Sequence, residues 1–65
     1  MDAEVVRKHK NLIEMVALHN YLPDGSHQAV VELSGQYPHH VDMWCGNCLV
    51  TMFKWFYLNK DQWQH

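Results

Sequence analysis

The sequence predicts a small all-α domain of three helices, spanning about residues 3–20, 27–36 and 43–60. Three observations support this prediction. The 65-residue chain is 48% hydrophobic but only 18% charged, a balance typical of folded chains. Its apolar residues recur mostly at helical spacing. Proline-containing breaks at residues 21–25 and 36–40 separate the helical stretches. We expect the chain to form a single domain, residues 1–65. So small a core favours a staple such as a metal or an oligomer.

The first predicted helix is amphipathic. Asp2 can accept hydrogen bonds from the free N–H groups of its first turn. At 100° per residue its apolar side chains share one face. These are Val5, Leu12, Ile13 and Val16. His9 lies near the middle of this face and His19 at its edge. Each is either a partly exposed, hydrogen-bonded histidine or a ligand that faces the core.

The second predicted helix follows a Pro23-Asp24-Gly25 turn. Ser26 offers a cap at its start, and Gly35 can end it. The apolar run at residues 29–33 also fits a short strand, but the cap and the glycine favour a helix over residues 27–36.

The third predicted helix lies in the most apolar stretch, residues 43–58, which contains a single charge, Lys54. Gly46 and Asn47 indicate that the helix begins between residues 42 and 47. Apolar residues surround it on all sides, as in a helix that is central or shared with a partner. We expect it to fill the cleft between the first two helices and the tail at 61–65 to fray, although Trp63 can dock. The predicted core is Val5, Leu12, Ile13, Val16, Val30, Leu33, Leu49, Met52 and Phe56.

A Cys-x-x-Cys pair at Cys45 and Cys48 carries the strongest chemical signal. Two thiolates at this spacing can bind one Zn²⁺, and structural zinc needs four ligands. The stretch resembles the second half of a treble-clef zinc finger, where such a pair starts the last helix. The likeness covers about residues 45–58 and lacks the first Cys-x-x-Cys knuckle, so histidines have to complete the site. The predicted zinc ligands are Cys45, Cys48, His40 and His19, with His9 and His27 as alternatives to His19.

Two other interpretations of the cysteine pair stay open. The segment Trp44-Cys45-Gly46-Asn47-Cys48 is similar to the WCGxC motif of the thioredoxin family, with Asn47 in place of the usual proline. That resemblance implies thiol–disulfide oxidoreductase activity. However, thioredoxins need strands around the motif and a cis-proline loop, and none of the 17 residues after Cys48 is a proline. The other interpretation is a pair of small core residues on one helical face.

The aromatic residues after the cysteines indicate either core packing or a partner-binding face, because interfaces are rich in such residues. The predicted partner-binding residues are Trp55, Phe56, Tyr57 and Trp63. The favoured function is a non-enzymatic accessory or structural protein that binds a larger protein or itself through this helix. A structural zinc is an optional part of that prediction, and viral or phage assemblies are a common setting for such proteins.

Charge and motifs exclude several other classes. The net charge is −2, with five basic and seven acidic residues, so a nucleic-acid partner is not expected. The alternative is a zinc-dependent nucleic-acid-binding module that uses the basic cluster Arg7, Lys8 and Lys10. The sequence has no Gly-rich phosphate loop, no H-E-x-x-H and no G-x-S-x-G motif, so we expect no enzyme.

Two features bear on location. Residues 43–58 are too few to span a membrane. The chain begins with Met-Asp-Ala-Glu, not with the basic and apolar regions of a signal peptide. We therefore expect a cytoplasmic or virion-associated protein, in a reducing compartment where a cysteine pair indicates metal or redox chemistry.

Overall fold

The computed structural model describes residues 1–64, and in that range it is built from helices and turns without strands, which confirms the all-α fold. The elements are α1 (Ala3–Arg7), α2 (Lys10–His19), α3 (His27–Gln36), α4 (Gly46–Leu58) and a short 3₁₀ helix (Lys60–Gln62). The main helix contacts are between α2 and α4 and between α1 and α3. Helix α4 thus lies chiefly against α2, whereas the sequence suggested that it fills a cleft.

The first predicted helix is interrupted between α1 and α2. Asp2 caps α1 as predicted, because its Oδ1 accepts the Glu4 N–H at 3.0 Å. The backbone then tightens at His9, whose N–H donates to the Val6 carbonyl at 3.0 Å. This break shifts the phase of the apolar face. Val6 is consequently buried, while the predicted core residue Val5 is only half-buried.

The connection from α2 to α3 depends on two left-handed residues. Asn20 (φ 54°) ends α2 and donates its N–H to the Val16 carbonyl, and Gly25 (φ 85°) completes the turn. The Ser26 hydroxyl donates to the Pro23 carbonyl at 2.7 Å and makes no cap bond to α3. Helix α3 has the predicted bounds, so the strand alternative for residues 29–33 is wrong.

The start of α4 is prepared by a turn centred on Asp42. Its Oδ1 accepts the Trp44 N–H at 2.9 Å, and its carbonyl accepts the Cys45 N–H at 3.1 Å. Cys45 is the N-cap residue, since its Sγ accepts the Cys48 N–H at 3.2 Å. The helix therefore begins at Gly46, within the interval that the sequence predicts.

The core combines residues from all four helices and the tail. The buried apolar side chains are Val6, Ile13, Val16, Ala29, Val30, Leu33, Leu49, Met52, Phe53, Phe56 and Trp63. Leu12 is only half-buried, as Val5 is. Leu12 packs at the edge of the core. The tail is docked as far as Trp63 and does not fray there. Trp63 is 3% exposed and donates its Nε1–H to the Phe56 carbonyl at 2.9 Å. This docking closes the core at the end of α4.

Candidate functional site

The predicted aromatic face of α4 is only partly available. Phe56 and Trp63 are buried, so their side chains form no part of the exposed surface in this fold, and partner binding through them stays a prediction. Trp55 is half-buried, with its ring 5.5 Å from that of Tyr37 in an edge arrangement. Tyr57 is also half-buried, with the Lys60 Nζ 4.9 Å from its ring centre. The reason is that the tail and the loop at Tyr37 cover parts of α4 that the other helices leave open.

The most exposed large apolar side chain is Trp44, at 96%. It precedes the N-cap of α4, where the Asp42 turn carries it away from the core. Trp44 and Met43 line one side of a groove of about 350 Å³, and the α2–α3 connection lines the other. The apolar lining residues are Leu22, Pro23, Val30, Met43, Trp44 and Leu49. Sequence reasoning missed Trp44 as a surface residue, although its place before the delayed helix start was a usable signal.

Cys45 and Cys48 lie at the first turn of α4, both as free, half-buried thiols. The two residues are 2.5 Å apart. The pKa of Cys48 is raised above its usual value because its thiol donates a hydrogen bond to the Cys45 sulfur. Partial burial and the negative charges of Cys45 and Asp42 act in the same direction. Cys48 also lines an open groove of about 340 Å³ together with His40.

The predicted zinc ligands are brought together only in part. His40 lies on the same groove as Cys48, whereas His19 is exposed at the end of α2 and lines a different groove formed by that helix. Among residues 1–64, no three His, Cys, Asp or Glu side chains form a group that could hold a metal ion. Zinc at Cys45 and Cys48 stays a prediction, and His19 would have to move to take part.

Two residues of the basic cluster, Arg7 and Lys8, make contacts within the molecule. Lys8 Nζ lies 2.9 Å from Glu32 Oε1, and His9 Nε2 lies 3.3 Å from the same oxygen. Gln28 donates to Glu32 Oε2 at 2.7 Å. These hydrogen bonds lower the pKa of Glu32 to about 2, with Gln28 the largest contributor. Arg7 Nη1 donates to the Trp63 carbonyl at 3.4 Å. The cluster thus joins α1, α3 and the tail.

Comparisons of the chain with protein-family models, curated proteins and solved structures give no match. Two neighbouring features, the Trp44 groove and the cysteine pair, therefore carry the functional information in this fold. Within residues 1–64, no helix is both long and apolar enough to cross a membrane.

Proposed function

We propose that this protein is a non-enzymatic protein-binding module whose contact surface is Trp44 and the adjoining groove. The observation that supports the proposal is the 96% exposure of Trp44 at the edge of an apolar groove. Tryptophan is strongly enriched among the residues that dominate binding energy at protein interfaces. This domain therefore presents, side by side, a projecting tryptophan that can anchor an interface and an apolar groove that can receive such an anchor.

A second copy of the chain is the favoured partner. A symmetric dimer needs one patch that complements itself, and a projecting side chain next to a groove meets that requirement. A 65-residue domain also has little core of its own, so burying this surface in a dimer would add stability. A larger protein that inserts an apolar side chain into the same groove is the alternative occupant.

The proposed contact surface lies at the turn before α4, not along the middle of that helix. Trp55 and Tyr57 keep partial exposure but do not line this groove, and Phe56 and Trp63 are buried. The proposed setting is the cytoplasm or a virion, as part of a larger assembly, where two free thiols are compatible with reducing conditions.

Analytical ultracentrifugation over a range of concentrations tests this function. We expect the wild-type chain to form a dimer, and Trp44→Ala to weaken dimerisation by at least about tenfold, as for a central interface tryptophan. Leu58→Ala is the matched control, because Leu58 is 80% exposed but does not line the groove. Equal weakening by both variants would contradict a specific surface at Trp44.

A chain that stays monomeric at every concentration would contradict self-association. The larger-protein alternative is then tested with a photo-crosslinking residue at position 44 and, as control, at position 58. A discrete crosslinked adduct formed from position 44 and not from position 58 would support binding of a larger protein at the groove.

A further inference from the structure

The cysteine pair is a second chemical feature beside the Trp44 groove, and the proposed binding function does not use it. Both thiols are free, and their side chains are in contact across the first turn of α4. Neither is fully buried, and Cys48 opens onto a groove lined by Tyr37, His40, Val41, Asp42 and Thr51. A small thiol reagent can therefore reach the pair from solvent.

We propose that Cys45 and Cys48 form a reversible redox site, closing an intramolecular disulfide by exchange with a small disulfide such as glutathione disulfide. Thiol–disulfide exchange depends on access, on a thiolate and on a second thiol within reach of the first. The turn before α4 supplies the last condition, because Cys45 as N-cap and Cys48 in the first helical turn face each other. Redox-sensor cysteines are often solvent-accessible and lie next to a second, resolving cysteine.

The geometry assigns Cys45 as the sulfur that reacts first. Its Sγ accepts the Cys48 N–H at 3.2 Å at the start of α4 and also faces the Cys48 thiol, so both hydrogen-bond donors of Cys48 point at this sulfur. Cys48 lies one turn into the helix, and its thiol points at the Cys45 sulfur. It is therefore placed to attack a disulfide formed there.

The exchange is balanced in two steps. The Cys45 thiolate attacks one sulfur of glutathione disulfide, a Cys45–glutathione mixed disulfide forms, and one glutathione thiolate leaves. The Cys48 thiolate then attacks the Cys45 sulfur, which releases the second glutathione thiolate and leaves the Cys45–Cys48 disulfide. The two cysteines are oxidised, the glutathione disulfide is reduced, and the two protons lost by the cysteines end on the two released glutathiones.

Intact-mass spectrometry of the full chain in glutathione redox buffers tests the site. A chelator is present, because a bound metal would protect the thiols, and free thiols are trapped by alkylation after an acid quench. We expect the wild-type monomer to lose two hydrogens as the buffer becomes oxidising and to regain them on reduction. Cys48→Ser should accumulate a stable glutathione adduct on Cys45, since no second thiol is present to resolve it.

Cys45→Ser is the matched control, and serine preserves the helix cap. We expect its remaining thiol, Cys48, to take up glutathione several-fold more slowly than Cys45 does in Cys48→Ser. This difference in rate should vanish in denaturant, because the unfolded chain has no helix turn to distinguish the two thiols. If the wild-type chain gives only glutathione adducts or disulfide-linked dimers, the redox site is refuted. Equal rates in the two folded variants would overturn the assignment of Cys45. Neither result bears on the Trp44 surface, which ultracentrifugation under reducing conditions tests separately.

Discussion

At the scale of single residues, Trp63 shows how one side chain near the chain end completes a small core. Its indole fills the space over the end of α4, and its Nε1–H satisfies the Phe56 carbonyl inside the buried region. Buried backbone carbonyls that lose their partner are costly. The residue is therefore part of the fold and is not a free interaction site.

We expect Trp63→Phe to lower the free energy of unfolding by about 1–3 kcal/mol, since the ring stays apolar but the donor is lost. Urea denaturation followed by circular dichroism measures the change. Gln64→Ala is the control, because the Gln64 side chain is exposed. Equal midpoints for wild type and Trp63→Phe would show that the hydrogen bond adds nothing to stability.

Glu32 is the residue whose ionisation links stability to pH. Its folded pKa of about 2 lies below the ordinary 4.5, so the folded chain favours the carboxylate. The resulting stabilisation is complete above the unfolded pKa and is lost as the pH falls from about 4.5 towards 2. We expect the melting temperature of wild type to fall more steeply across this window than that of Glu32→Gln. Parallel curves for the two proteins would contradict the assigned pKa.

At the scale of helices, the sequence predicted α3 and the delayed start of α4 but not the break at His9. Local signals sufficed where a turn residue or a cap marks the boundary, as Gly25 and Gly46 do. The interruption at His9 has no such mark. The contacts that accompany it are long-range, because Lys8 and His9 both bind Glu32 on α3. A projection along one continuous helix therefore selected Val5 where the core uses Val6.

The end of α2 gives a prediction at this scale. Asn20 adopts a left-handed conformation that costs most side chains roughly 1–2 kcal/mol. We expect Asn20→Ala to lower the free energy of unfolding by about 1 kcal/mol, and Asn20→Gly to leave it unchanged or raise it by a few tenths. Chemical denaturation of the two variants against wild type measures both. A destabilised glycine variant would mean that the asparagine side chain itself stabilises the turn.

At the scale of the molecule, the composition alone does not predict which segments cover the apolar surface of α4. The apolar side chains on α4 are more than two helices can bury, so the sequence predicts an exposed face at Trp55, Phe56 and Tyr57. The structure covers much of it with Tyr37, from the loop before α4, and with Trp63 from the tail. Such contacts depend on where loops return in space, and no spacing rule in the sequence encodes that. The zinc prediction depends on the same kind of information, since one of His19, His27 or His9 has to meet the start of α4.

If loop and tail complete the core, removing the tail should affect the whole domain. A chain that ends at Asn59 loses Trp63, and large buried aromatic side chains are worth roughly 3–5 kcal/mol on truncation. That is about the whole stability expected of a core this small. We expect this variant to lose its cooperative thermal transition and near-ultraviolet circular dichroism while it keeps helical content and binds a hydrophobic dye, as molten globules do. A chain that ends at Trp63 is the matched control and should melt like the full-length protein. A sharp transition in the variant ending at Asn59 would mean that the four helices form a sufficient core alone, and the exposed face of α4 would then again be a candidate contact surface.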